Sequence, residues 1–260
     1  MSELEFLHAL HVDTLRHDGV NVAQGPHELF QTSTIRALLG GAFDGDVTLE
    51  ELLAHGNLGL GTLNGLDGEL IVIDGEVFKA DLDCRLSRPP GDALTPYAVV
   101  VQFDSAHPSR VQAITGPLRA AEVERRLWPE RDLPDGPEAI RIDGHFESVR
   151  LRSVPKQTPP YPSLAQAISH QHIHELRGVS GTMVGFCFPD GLAGIEIVGS
   201  HLHFAGDDRG RGGHVLDYTV REATVLLDDG TQLHVELPGA VAAPDRGGGV
   251  DQRALRRLER

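Results

Sequence analysis

The residues with the densest chemical potential lie between positions 200 and 214. Ser200-His201-Leu202-His203-Phe204 reads as a strand, and strand side chains alternate with period two, so His201 and His203 face the same way. The stretch that follows holds Gly206, Gly210, Gly212 and Gly213, which lets the chain turn sharply and begin an adjacent antiparallel strand at His214. Three imidazoles then converge. A three-histidine set leaves a coordination position open, the pattern of catalytic rather than structural zinc. Neutral imidazole also serves copper, iron and nickel, so the ligands alone do not select the metal. The competing reading is a pair of exposed strand histidines, ordinary in a chain with 14 histidines. His170, His172 and His174 form a rival group. Leu164, Ala165, Ala167 and Ile168 predict a helix over 164–173, with His170 and His174 on one face at i, i+4 and His172 turned away. The expectation there is a polar helical face.

Three further groups bear charge in suggestive places. The glycine-rich segment 59–70 lacks the spacing and the lysine of a phosphate loop. It puts Glu69 where a tight turn enters an apolar run, either as a working acid or as a solvated strand-start carboxylate. Arg150 and Arg152 fall on one face of a strand that ends at Pro155, and arginine can clamp a carboxylate through two parallel hydrogen bonds. The alternative is a surface pair on an edge strand. The tail over 245–260 contains three consecutive glycines and ends Glu259-Arg260, which predicts a mobile end or an arm that delivers Glu259 to a site elsewhere.

The elements that must position these groups are mostly strands. Leu70 to Ile73, then Asp74-Gly75, then Glu76-Val77-Phe78 reads as a hairpin, because Asp-Gly suits a type I′ turn with two positive φ values. Val225-Leu226-Leu227, Asp228-Asp229-Gly230 and Leu233 to Leu237 repeat that pattern. Further strands are expected over 97–103, 146–154, 182–188 and 195–204. Thr48-Leu49-Glu50-Glu51 is a capping box that opens a helix over 49–55, closed by Gly56. Other helices are expected over 34–39 and 118–127, and 128–138 reads as a surface loop. GTxxG occurs at 61–65 and again at 181–185, a weak hint of two related lobes, with the Pro-rich 156–163 segment between them. The expected organisation is α+β and β-rich: an N-terminal lobe over 1–157 and a C-terminal lobe over 158–260 that carries the histidine site and the tail.

Composition narrows the classes. With 260 residues, 23 basic and 38 acidic, the formal charge is −15, which argues against nucleic acid or an anionic membrane as partner. Hydrophobic residues at 40% exclude a disordered chain. Cys84 and Cys187 form no CxxC and no disulfide framework, so free buried thiols in a reducing compartment are expected. No apolar run reaches the roughly 18 residues of a membrane helix, and the first residues lack a signal-peptide core. A cytoplasmic protein is the expectation.

Four blocks together resemble the α-acetolactate decarboxylase family: FQTSTIRALLGGAFDGD at 30–46, GNLGLGTLNGLDGELIVIDGEVFKA at 56–80, VRLRSVPKQTPPYPSL at 149–164, and GTMVGFCFPDGLAGIEIVGSHLHFAGDDRGRGGHVLD at 181–217. The resemblance implies two β-rich lobes with few helices, usually dimeric. It implies zinc bound by His201, His203 and His214. It places Glu69 near the metal as an acid, Thr62 in the pocket wall, Arg152 against the substrate carboxylate and Glu259 as a C-terminal glutamate folded into the site. The rival histidines match nothing functional in the family. The implied reaction, a step of acetoin biosynthesis, is loss of carbon dioxide from α-acetolactate to give acetoin. Two other readings stand beside it: another metal-dependent hydrolase or cupin-like enzyme, and a non-catalytic metal-binding module. Asp207 stands where a cupin would carry a glutamate after HxH.

Overall fold

The computed structural model describes residues 11–16, 27–129 and 134–237. Its strands, in chain order, are β1 (His11–Arg16), β2 (Glu28–Thr32), β3 (Val47–Thr48), β4 (Leu58–Thr62), β5 (Glu69–Ile73), β6 (Glu76–Ala80), β7 (Leu86–Ser87), β8 (Leu94–Thr95), β9 (Tyr97–Val101), β10 (Arg110–Arg119), β11 (Glu138–Ser153), β12 (His172–Phe188), β13 (Gly199–Gly206), β14 (Gly212–Asp229) and β15 (Gln232–Leu237). The short helices are α1 (Ile35–Leu39), α2 (Leu49–His55), α3 (Ala120–Leu127) and α4 (Leu164–Ile168). The expected β-rich α+β class is the observed one.

The strands form two main sheets. The first has the order β1-β15-β2-β9-β4-β5-β6-β7, and the second β10-β14-β11-β12-β13, with β13 also pairing β14. Short β3 and β8 pair separately. One face of the first sheet presents Leu58, Leu60, Ile71, Val99 and Val101, which pack with Val184, Phe186 and Phe188 from the second. Alternate residues of the same strands, Leu70, Val72, Ala98 and Val100, face the other way and bury Leu49 and Leu52 of α2. Being covered on both faces is why these strands read as unbroken apolar runs rather than as alternation. The far face of the second sheet buries Ile140, Ile142, Phe146 and Leu227 with Val123 and Leu127 of α3.

Several local signals act as expected. Asp74 and Gly75 take φ of 52° and 77°, the I′ turn that joins β5 to β6. The Thr48–Glu51 capping box forms at α2. Gly56, however, is extended with φ −178° and does not close the helix by a left-handed turn. A Cβ there would lie 2.6 Å from the Val101 backbone nitrogen, so glycine is needed for close approach to β9.

Two expectations need correction. The 164–173 helix stops at Ile168, and β12 begins at His172. Helical propensity over five residues yields here to a long antiparallel pairing with β11, in which His172 faces Ser153 and His174 faces Leu151. The second Asp-Gly hairpin does not form: β15 leaves β14 and runs parallel between β1 and β2 in the other sheet. Its neighbours lie some 200 residues away in sequence, beyond any local turn signal. The two sheets interleave along the chain, since β10 and β11 belong to the second sheet and β15 to the first.

Candidate metal centre and active site

Two cross-strand rows meet where the sheets face each other. In the first sheet, Glu69 pairs with Thr62, and Thr62 with Tyr97. In the second, Arg152 pairs with His214, and His214 with His203. Paired residues point to the same side of a sheet, so each row presents its side chains together. His201 joins by the period-two rule along β13. Gly185 on β12 makes room, because a Cβ there would lie 1.9 Å from the His201 carbonyl oxygen. The result is a cavity of about 50 Å³ lined by Thr62, Glu69, Arg152, His201, His203 and His214, with apolar wall from Ile35, Leu38 and Val154 among others.

The histidines are almost fully buried, at 7%, 1% and 2% exposure for His201, His203 and His214. His201 Nε2 lies 3.2 Å from His214 Nδ1, which lies 3.3 Å from His203 Nε2. A tetrahedral zinc with Zn–N near 2.0–2.1 Å separates its ligand nitrogens by about 3.3 Å, so the spacing fits an ion at the centre. The protonation pattern fits too. His203 Nδ1 is 2.8 Å from the Leu70 carbonyl oxygen. A carbonyl only accepts, so Nδ1 carries the proton and the Nε2 lone pair faces the cluster. Burial, with the Arg152 guanidinium adding to it, pushes His201 down to about 3, which keeps that imidazole neutral and able to ligate. Glu69 Oε2 stands 3.6 Å from His203 Nε2.

The turn that presents Glu69 is braced on several sides. Asn64 exchanges hydrogen bonds with both backbone groups of Gly45. Gly65 donates to Phe43 and accepts from Gln157. Asp67 pairs with Lys79 at 2.8 Å and Lys156 at 3.1 Å. Burial alone would raise the Asp67 carboxyl, but the two lysines outweigh it and hold it below the usual range. The Thr62 hydroxyl donates to the Gly68 carbonyl oxygen at 2.9 Å, tying the same turn to β4.

Of the residues expected in the site, the structure brings together Thr62, Glu69, Arg152, His201, His203 and His214. Arg150, read as a partner of Arg152, is exposed while Arg152 is buried. Glu259 lies outside the described residues. Two residues were missed. Tyr97 lines the cavity, and its hydroxyl donates at 2.5 Å to Glu196 Oε2. Glu196 is fully buried, its other carboxylate oxygen has no hydrogen-bond partner, and burial pushes it up to about 8 against the pull of Tyr97 and the Ile197 N–H. The available signal was an acid standing alone in Ile195-Glu196-Ile197-Val198. Cys84 and Cys187 are free and buried, and burial raises both thiols.

A buried three-nitrogen cluster between two sheets, flanked by one carboxylate and one guanidinium, is a donor set that could hold a metal ion and leave a coordination position open, as enzymes with a three-histidine metal site do. Residues 29–242 match the family model described as alpha-acetolactate decarboxylase. An alpha-acetolactate decarboxylase of Methylococcus capsulatus is 39% identical over 213 residues, covering 82% of this chain and 80% of that protein. One from Klebsiella aerogenes is 36% identical, covering 87% and 85%. The crystal structure of alpha-acetolactate decarboxylase from Bacillus subtilis superposes with a TM-score of 0.81 at 32% identity, covering 89% of this chain and 99% of that one. The chain belongs to the alpha-acetolactate decarboxylase family.

Proposed function

We propose that this chain decarboxylates α-acetolactate (2-hydroxy-2-methyl-3-oxobutanoate) to acetoin and carbon dioxide, with zinc held by His201, His203 and His214. The observation that carries the reading is the convergence of those three buried imidazoles with Glu69 and Arg152 in one cavity. When bound, zinc supplies a Lewis acid for the adjacent hydroxyl and ketone oxygens of the substrate. Arg152 binds the carboxylate and fixes the direction in which it leaves. Carbon dioxide is neutral, so this contact weakens as the C–C bond breaks and acts through orientation more than through charge. The electron pair of that bond stays on the substrate as an enediolate. A carboxylic acid then returns a proton to the carbon that lost carbon dioxide. Glu69 is the first candidate, beside His203, and Glu259 the second. Tyr97 and the apolar wall limit water around the reacting carbon.

A homodimer is part of the same reading, as is a reducing, cytoplasmic setting, which two free thiols suit. No helix among the described residues is long and apolar enough to cross a membrane. The test is acetoin formed anaerobically from racemic α-acetolactate by the purified protein. Acetoin that disappears on chelation and returns with zinc supports the reading. A fully metallated protein that makes none removes it and directs attention to ester and lactone hydrolysis. Light scattering on the same sample reads the dimer.

A further inference from the structure

β12 runs extended from its first residue, His172. On a strand, His172 and His174 share a face, which the helix would have denied to them. A third group reaches them from the other sheet. Asp83 lies in the loop between β6 and β7, and one ligand atom each from Asp83, His172 and His174 lies within 4.8 Å of the others. Two contacts hold the loop there without the histidines: the Asp83 carbonyl accepts from Arg211 at 2.7 Å, and the Cys84 carbonyl accepts from Gly212 N at 3.0 Å. His174 Nε2 donates to the Leu82 carbonyl oxygen at 3.1 Å, which leaves its Nδ1 lone pair for an ion. Among the described residues the Asp83 carboxylate is engaged only with Arg85, at 3.1 Å, in a pair whose side chains are 56% and 65% exposed respectively. Water screens such a pair, and a cation displaces it readily.

We propose that Asp83, His172 and His174 form a second site, for a divalent first-row transition-metal ion, that pins the 81–85 loop of the first sheet onto β12 of the second. Two imidazoles and a carboxylate suit zinc, nickel and copper rather than magnesium or calcium, and affinity should rise toward copper. Three protein ligands leave the remaining positions to water. Cys84 of the pinned loop accepts from Gly212, the first residue of β14 and two before His214, and Leu86, next after the loop, donates to Gly210. The ion therefore stiffens the frame behind the buried centre without entering it. This inference does not rest on the decarboxylase reading.

The experiment is equilibrium dialysis of the full chain against zinc, with metal counted per chain. The parent should carry one zinc more than the His172→Ala/His174→Ala double variant, whatever the occupancy of the buried centre. Asp83→Asn, which keeps shape but loses charge, should weaken the additional site by at least about tenfold, the lower end of what even a supporting residue costs a metal site. One equivalent of copper added to the zinc-loaded parent should show nitrogen hyperfine coupling in its paramagnetic resonance spectrum, absent from the double variant. Added zinc should raise the melting temperature of the parent more than that of the double variant, since only the parent offers this site to the folded state. Equal zinc counts in parent and double variant, with both folded by circular dichroism, overturn the proposal.

Discussion

The chain carries His-x-His twice on strands of one sheet, and the two copies differ in almost everything except spacing. His201 and His203 are buried and receive His214 from a neighbouring strand. His172 is exposed and His174 half-buried, and their third partner, Asp83, comes from a loop of the other sheet. At the first copy the protein has buried the imidazoles, set one tautomer through Leu70, and aligned a carboxylate and a guanidinium toward the same space. At the second, solvent keeps access and no catalytic partner faces the cluster among the described residues. Ligand spacing makes a metal site conceivable, and its surroundings decide whether chemistry can follow.

The comparison is broken most sharply at the buried copy. His203→Ala should abolish metal binding there and turnover together, because two imidazoles remain of three. Metal analysis beside an acetoin assay checks this, and retained metal would dismiss His203 as a ligand. Glu69→Gln should keep the metal and lower kcat by about 10²–10⁴, the usual contribution of a positioned acid. The same change at Glu259 asks whether the second candidate shares that duty, and normal turnover in Glu69→Gln would hand it over. Arg152→Lys should reduce kcat/KM by about 10–100-fold, since a charged hydrogen bond is worth about 1.5–3 kcal/mol and lysine lacks the planar fork.

The mildest effect on turnover comes from a group that acts on stability. Glu196 is pushed up to about 8 in the folded protein, whereas its ordinary value is 4.5. Its contribution is therefore fully present below the ordinary value and is lost as pH rises through the folded one. The folded state holds the proton longer than the unfolded state, so stability falls with rising pH across that window, by at most about 1.4 kcal/mol per pH unit. Glu196→Gln should flatten this part of the profile. Urea midpoints of both proteins from pH 5 to 8 measure it, and parallel profiles would show that Glu196 is not the group responsible.

Much of the site was readable along the chain because its logic is local. Period two puts His201 and His203 on one face, and the glycines before His214 permit the return. The Asp74-Gly75 turn and the Thr48–Glu51 cap need only their own residues. The sequence blocks around Glu69 and Arg152 carried those two residues by resemblance, and the structure seats both in the cavity.

What the tertiary structure decided depends on groups far apart in sequence. Val225 to Leu237 looks like a hairpin, yet burial between β1 and β2 outweighs the nearby partner and sends β15 to the other sheet. Residues 164–173 have helical composition, yet pairing with β11 claims His172 onward. Tyr97 and Glu196 are 99 residues apart and meet only when the sheets close. So do Asp83 and His174. A sequence specifies the period and turn of each element through short-range sterics. Which apolar faces close on each other, and therefore which histidines lose water and which keep it, is settled by packing the whole.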